Sequence, residues 1–362
     1  MNEKQLDRRL NQLQDWVPSA FEQLGIDLAE DWQLQAVSGD ASFRRYFRVH
    51  SHNLSWIAVD APPQKEDSAP FVAIARAWET LDIHVPQVHL ADLSQGFMLL
   101  SDLGDTLYLD RLTPDSADPL YRQALVTLTH IQQCRSIQGE PFPPYNRALL
   151  QREMDLFSDW FLGQLLELKL TSYEQKLLGQ VYERLIVSAL EQPQVCVHRD
   201  YHSRNLMVID AQAPGVIDFQ DAVWGPITYD LVSLLRDCYI DWPEHRVTSW
   251  ALDYAELAAE AGLMDSVSEQ RFLGWFDRMG MQRHLKAIGI FARLNLRDSK
   301  PGYLGDIPRT LDYLRRVAAS HTELAEFGRW LDQRVVPAMS LSGLFSMERL
   351  EQPLSSGASD AI

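Results

Sequence analysis

Apolar residues recur at helical intervals through the first thirty positions, at Leu6, Leu10, Leu13 and Trp16, and predict one or two amphipathic helices that pack rather than bind membrane. The period then shortens. WQLQAV (32–37), RRYFRVHS (44–51) and SWIAVDA (55–61) read as three consecutive strands, the last two joined at His52 and Asn53. DSAPFVAIARAWETLD (67–82) returns to helical spacing, with Asp67 or Ser68 available as its cap, and so predicts a helix lying on that sheet. VPQVHLA (85–91) and GFMLLSDLGD (96–105) add a fourth and a fifth strand.

Beyond about residue 106 the spacing is predominantly helical, in segments 116–135, 147–170, 173–190, 227–240, 247–262, 268–297 and 308–338. One apolar hairpin interrupts them: LMVID-AQAPG-VIDF (206–219) predicts two short strands around an Ala-Pro-Gly turn. Pro141-Phe142-Pro143-Pro144 reads as an exposed connector rather than a domain boundary, and the tail ending in SSGASDAI as disordered. The expected class is α+β, a small antiparallel sheet followed by a larger, mainly helical part. The expected division is 1–30 as a helical segment, 31–101 as the sheet lobe, 102–345 as the helical lobe and 346–362 as the tail.

Composition narrows the function classes. A chain of 362 residues with 46% hydrophobic content and ten Trp can build a sizeable core. A formal net charge of -17 argues against nucleic acid and anionic membrane surfaces as partners. Cys134, Cys196 and Cys238 form no CxxC pair, which suits a reducing compartment. The charged start MNEKQLDRRLNQLQDW lacks the apolar core of a secretion signal, and no run of about 18 apolar residues suggests a membrane span. A cytoplasmic protein is expected, with no obligate protein partner evident.

The stretch that carries chemistry is VHRDYHSRNLMV (197–208). It reproduces the kinase catalytic-loop pattern H-R-D-x-x-x-x-N as His198, Arg199, Asp200 and Asn205, and Asp218-Phe219 follows across the hairpin. A phosphoryl group in transfer gets little covalent help from protein, so catalysis is positioning plus cancellation of negative charge. Asp200 is placed to face the attacking hydroxyl, while Asn205 and Asp218, brought together by the hairpin, are placed to hold Mg²⁺ against the phosphates of ATP. His198 reads as a buried brace of the loop. Arg199 and Arg204 either brace the loop or touch phosphate.

Upstream, Ser38, Gly39, Asp40, Ala41 and Ser42 link the first two strands. Alone they would be an ordinary hairpin loop, but ahead of a catalytic loop their amides can point at phosphates. Ser101, Asp102 and Leu103 read as a hinge whose backbone can bond an adenine. If the acceptor is a sugar, as the resemblance stated below implies, Trp224 can stack on its ring or else fill core, and Asp221 and His202 can bond its hydroxyls. Arg293 and Arg297 on one helix side are candidates for an acidic group, with ordinary helix surface as the alternative. DSKPGYLGD (298–306) is a Gly-rich loop that either closes over substrate or merely connects.

These residues resemble the aminoglycoside phosphotransferase and choline kinase-like superfamily, over roughly residues 30–330. The family motif HxDxHxxN is matched by His198, Asp200, His202 and Asn205, its second metal carboxylate by Asp218, and its later Asp-Leu pair by Asp230-Leu231. SGDASFRRYFRV, IAVDAPPQKED and FQDAVWGPITYDLVSLLRD are more narrowly similar to the cell-wall sugar kinases of Gram-negative bacteria, which phosphorylate the anomeric hydroxyl of N-acetylmuramate and N-acetylglucosamine. The resemblance implies a bilobal, protein-kinase-like fold, ATP and Mg²⁺ as cofactors and an amino-sugar substrate. Aminoglycoside- or choline-type kinases and an inactive nucleotide sensor are the alternatives. The chain departs from the kinase pattern at Asp60, where the third strand would deliver a phosphate-binding lysine; Lys65, Arg44, Arg45 and Arg48 are the possible substitutes, and Glu79 their usual helix partner. It departs again at Gln220, which replaces the glycine after Asp-Phe and favours a fixed turn over a mobile switch.

Overall fold

A computed structural model describes residues 3–37, 43–209 and 213–351. The candidate phosphate loop Ser38, Gly39, Asp40, Ala41 and Ser42 lies outside them, as does SSGASDAI. The described residues are α+β, and they form two compact units: Met1–Phe142 with Arg204–Ala222, and Pro143–Ser203 with Val223–Ile362. The first unit takes in the sheet lobe expected at 31–101, and also 102–142 and the hairpin region, which the sequence reading placed in the helical lobe.

In the first unit five antiparallel strands, β1 (Gln33–Ala36), β2 (Arg45–Ser51), β3 (Leu54–Asp60), β4 (Val88–Asp92) and β5 (Phe97–Ser101), are ordered β1-β2-β3-β5-β4. His52 enters the left-handed region (φ 53) to turn β2 into β3. A single helix, α1 (Glu3–Leu24), covers one face: Leu13, Val17 and Phe21 close over Phe47, Val49, Trp56 and Ala58, with Leu10 and Trp16 at the edge. Strand side chains alternate, so Asp60, two residues beyond Ala58, shares this covered face. Helix α2 (Ala69–Glu79) supplies Phe71 and Trp78 to the interior; its N-cap position is Ser68, whose side chain makes no capping bond, and Asp67 just before it accepts the Ala69 amide at 3.0 Å.

The second unit is mainly helical, and its axis is the long helix Glu269–Asp298, buried through Phe272 to Ala292. Gly289 lets that helix press against Leu156, because a β-carbon there would collide with the Leu156 backbone. Strand Gln194–Val197 pairs antiparallel with Val223–Pro226, Val197 opposite Val223. None of the described helices is long and apolar enough to cross a membrane.

Several expectations need correction. Phe142 is buried, and the boundary between the units falls between it and Pro143, so the proline-rich run is not merely an exposed connector. Residues 348–351 of the expected tail form a helical turn with Leu350 buried, held by Arg349 pairing with Asp241 and Asp312. The helix expected over 308–338 breaks at His321, which is extended (φ -118, ψ 112). The one expected over 227–240 ends at Leu235. The 147–170 segment changes to π-helix over Phe157–Leu165, and the Gly-rich 298–306 stretch contains a 3-10 helix, Pro301–Asp306.

Candidate active site

Each unit carries part of the kinase motif. In the first, Leu206–Met207 pairs antiparallel with Gly215–Val216, and the Ile217 amide donates to the Asn205 carbonyl at 3.1 Å. That register sets the Asn205 side-chain amide 3.4 Å from an oxygen of Asp218. Asp218 takes positive φ (65), a conformation that costs a non-glycine residue on the order of 1–3 kcal/mol and persists only where its surroundings impose it. They do: Phe219 is fully buried, stacked on Phe71 at 4.8 Å and tilted against Trp78 at 5.3 Å. The Gln220 side-chain amide donates to Asp218 Oδ1 at 2.7 Å, which makes this a bonded turn. The Gln220 Oε1 oxygen is buried and accepts no hydrogen bond among the described residues. An ionised carboxylate with amide oxygens beside it is a hard, all-oxygen donor set, which fits Mg²⁺.

The cation question narrows in the same unit. Asp60 is fully buried between two arginine forks: Arg9 donates to Oδ1 from Nε (2.7 Å) and Nη2 (2.5 Å), and Arg45 to Oδ2 from Nε (3.0 Å) and Nη2 (2.5 Å). Arg45 is therefore committed on the α1-covered face. Arg48 is held by two carboxylates instead, with its Nε 2.5 Å from Asp102 and its Nη2 2.8 Å from Asp105. Burial works against the Asp102 charge, but Arg48, Ser55 and the Gly104 amide hold its carboxyl below the usual range. Arg44 is buried, 3.6 Å from Glu66 and over the Phe71 ring at 5.7 Å. Lys65 is exposed and lies over Phe43. Glu79 accepts from Gln87 at 2.8 Å. Ser101 exchanges hydrogen bonds with the Gln87 backbone, and the Leu103 side chain lies where a β-carbon on Gly215 would fall.

In the second unit the strand Gln194–Val197 delivers His198, which is fully buried. Asp230, also fully buried, accepts the His198 amide at 2.6 Å and the Arg199 amide at 3.0 Å. His198 Nδ1 accepts the Asp200 amide at 3.2 Å, so its ring braces the loop. Arg199 is at positive φ (78), again imposed by its bonds. Burial pushes the Asp230 carboxyl up to about 7; the two amides oppose that, and the Asp200 charge adds to it.

Behind the loop lies a buried polar network that no local pattern announces. Glu153 accepts from Arg199 Nη2 (2.6 Å), Gln282 Nε2 (3.2 Å) and the Tyr145 hydroxyl, with Lys286 Nζ at 3.3 Å. Lys286 also donates to the Tyr229 hydroxyl at 2.9 Å. Desolvation would raise the Asp200 carboxyl, yet the positive charge of Lys286 first, then that of His202 and Arg283, holds it down to about 2. Asp200 is thus ionised throughout the range above its unfolded value near 4, and protonation removes its charge only as the pH falls toward 2. A Lys286→Met variant is expected to lift that carboxyl, so the acid limb of its kcat/KM profile moves toward neutral pH while the wild type stays flat down to about pH 4. Coincident acid limbs for the two proteins would contradict this.

The proposed acceptor residues are spread over both units. Asp221 is exposed in the first. In the second, Trp224 is half-buried on Val223–Pro226, its carbonyl taking the Tyr145 amide at 2.7 Å. The His202 ring meets Tyr239 edge-on at 5.3 Å. Arg293 is half-buried on the long helix, and Arg297 pairs with Asp298 at 2.9 Å. Arg204 is exposed.

An antiparallel five-stranded sheet, a mainly helical remainder and an HxDxHxxN loop with its following Asp-Phe turn define a kinase-like phosphotransferase. The chain matches the family model described as phosphotransferase enzyme family over residues 33–269, and it belongs to that family. It is 45% identical over 328 residues to the N-acetylmuramate/N-acetylglucosamine kinase of Pseudomonas putida, covering 89% of this chain and 95% of the relative. The protein of the same name from Pseudomonas aeruginosa is 45% identical over 331 residues, covering 90% and 96%. Among solved structures, the ADP-bound aminoglycoside phosphotransferase APH(2'')-Ib shares the fold, with a TM-score of 0.51 at 16% identity over 82% of this chain and 97% of that one.

Proposed function

We propose that this enzyme transfers the γ-phosphoryl group of ATP to the anomeric C1 hydroxyl of N-acetylmuramate and N-acetylglucosamine, giving sugar 1-phosphates in the cytoplasmic recycling of peptidoglycan. The observation that carries the reading is the intact motif on a loop braced by Asp230 and Glu153, with Asn205 against Asp218, in a chain 45% identical to kinases named for these two sugars.

Asp200 orients the acceptor hydroxyl and takes its proton. A hemiacetal hydroxyl is more acidic than an ordinary alcohol, so an ionised carboxylate suffices for this role, and in a loose transition state the proton leaves late. Asn205 and Asp218 hold Mg²⁺, with the Gln220 amide fixing the carboxylate between them. Bound Mg²⁺ supplies charge neutralisation on the transferring phosphates. Arg44 and the loop Ser38–Ser42 receive phosphate, and Ser101, Asp102 and Leu103 receive the adenine at the hinge. His202, Asp221, Trp224 and Arg293 recognise the sugar, and Asp230 and His198 keep the loop in shape.

The test is ATP consumption with Mg²⁺ against N-acetylmuramate, N-acetylglucosamine, glucose, choline and kanamycin. Turnover with the two N-acetyl sugars is the expected result. Turnover with choline or kanamycin alone would replace the substrate assignment, and no turnover with any acceptor would favour a nucleotide sensor.

A further inference from the structure

The long helix Glu269–Asp298 aligns Arg283, Lys286 and Arg293 on one face, at spacings of three and seven residues. Lys286 is fully engaged by Glu153 and Tyr229. Arg283 is not. It is only 6% exposed, its Nη1 points at the Cys238 sulphur at 3.7 Å, its Nε is buried without an acceptor, and among the described residues it forms no ion pair. A guanidinium cannot shed its proton, and a charge taken out of water without a hydrogen-bonded counterion is costly to the fold.

Its position gives that guanidinium, short of hydrogen-bond acceptors, a use. Cys238 follows Asp237, whose carboxylate accepts the amide (3.0 Å) and the hydroxyl (2.5 Å) of Ser203. Tyr239, next in the chain, sets its ring against His202. Arg283 therefore stands against the segment that carries residues 202 and 203 of the HxDxHxxN loop. Asp200 and Asp237 act on it through space and not through a hydrogen bond, and Asp237 is already committed to Ser203 and to the Tyr239 amide at 3.0 Å.

We propose that Arg283 binds a carboxylate carried by the acceptor and so discriminates an acidic N-acetyl amino sugar from its neutral counterpart. The inference rests on the sugar-kinase reading above. N-acetylmuramate differs from N-acetylglucosamine by a lactyl ether whose carboxylate supplies a hydrogen-bonded anionic acceptor, which Arg283 lacks among the described residues. A planar fork with an uncommitted nitrogen is suited to that group, and a neutral sugar leaves it unanswered.

Steady-state kinetics of the wild type, Arg283→Gln and Arg283→Lys with both sugars at saturating ATP test this, with melting curves for each protein. In Arg283→Gln the ratio of kcat/KM for N-acetylmuramate to that for N-acetylglucosamine is expected to fall at least tenfold, through KM for the acidic sugar, with KM for ATP unmoved. Arg283→Lys recovers part of the ratio. Should Arg283→Gln not fold, Arg283→Met, apolar and of similar reach, answers the same question. Equal losses on both sugars would overturn the proposal and make Arg283 a support of the loop, and an unaltered ratio in a folded variant would overturn it as well. A wild type that phosphorylates neither sugar would defeat the sugar-kinase reading itself, an outcome distinct from either.

Discussion

Asp200→Asn is expected to lower kcat by about 10²–10⁴-fold, the range a positioned proton acceptor contributes, while ATP still binds. The loop should survive the change, because its shape is held by other groups: Asp230 on the His198 and Arg199 amides, and Glu153 on the Arg199 guanidinium. The substitution removes a negative charge that faces Lys286 and Arg283 and leaves the Asn205–Asp218 pair intact. Loss should therefore appear in turnover, read by a coupled ATPase assay, and not in nucleotide affinity. Wild-type turnover in this variant would remove Asp200 from the chemistry.

Asp218→Ala should do the opposite to binding. It removes the one carboxylate of the Asn205, Asp218 and Gln220 group and leaves only amides, so Mg²⁺-dependent ATP affinity should fall by more than the ~10–100-fold typical of losing an outer partner of a metal site. Titration of ATP with and without Mg²⁺ reads this directly. Alanine also tolerates positive φ less well than asparagine does, so Asp218→Asn, which keeps the backbone preference and drops the charge, separates metal loss from a disturbed turn. Unchanged Mg²⁺ dependence in both variants would exclude Asp218 as a ligand.

What the sequence revealed follows from how local each feature is. The five strands show because one face alternates against α1, and the hairpin between Asn205 and Asp218 shows because apolar pairs flank a proline-glycine turn. The chemistry of residues 198–205 is readable because a transferring phosphoryl group dictates the spacing of its ligands. The Glu153 network stayed hidden: it joins residues from Tyr145 to Lys286, and a lone glutamate or lysine in an amphipathic helix looks like surface. Arg283 was passed over for the same reason, while Arg297, legible as a basic residue on a helix, proves to pair with its own neighbour. At Asp60 the sequence exposed the missing lysine but not its consequence, since Arg9 reaches it from α1, fifty-one positions earlier in the chain.

The most direct test of the account is phosphorus NMR of the product formed from ATP, Mg²⁺ and N-acetylmuramate, with the sugar labelled by ¹³C at its anomeric carbon. The account predicts a phosphomonoester coupled to that carbon, hence a 1-phosphate. A phosphate on any other hydroxyl would contradict the anomeric assignment, and no phosphorylated sugar at all would contradict the assignment of this site to amino sugars.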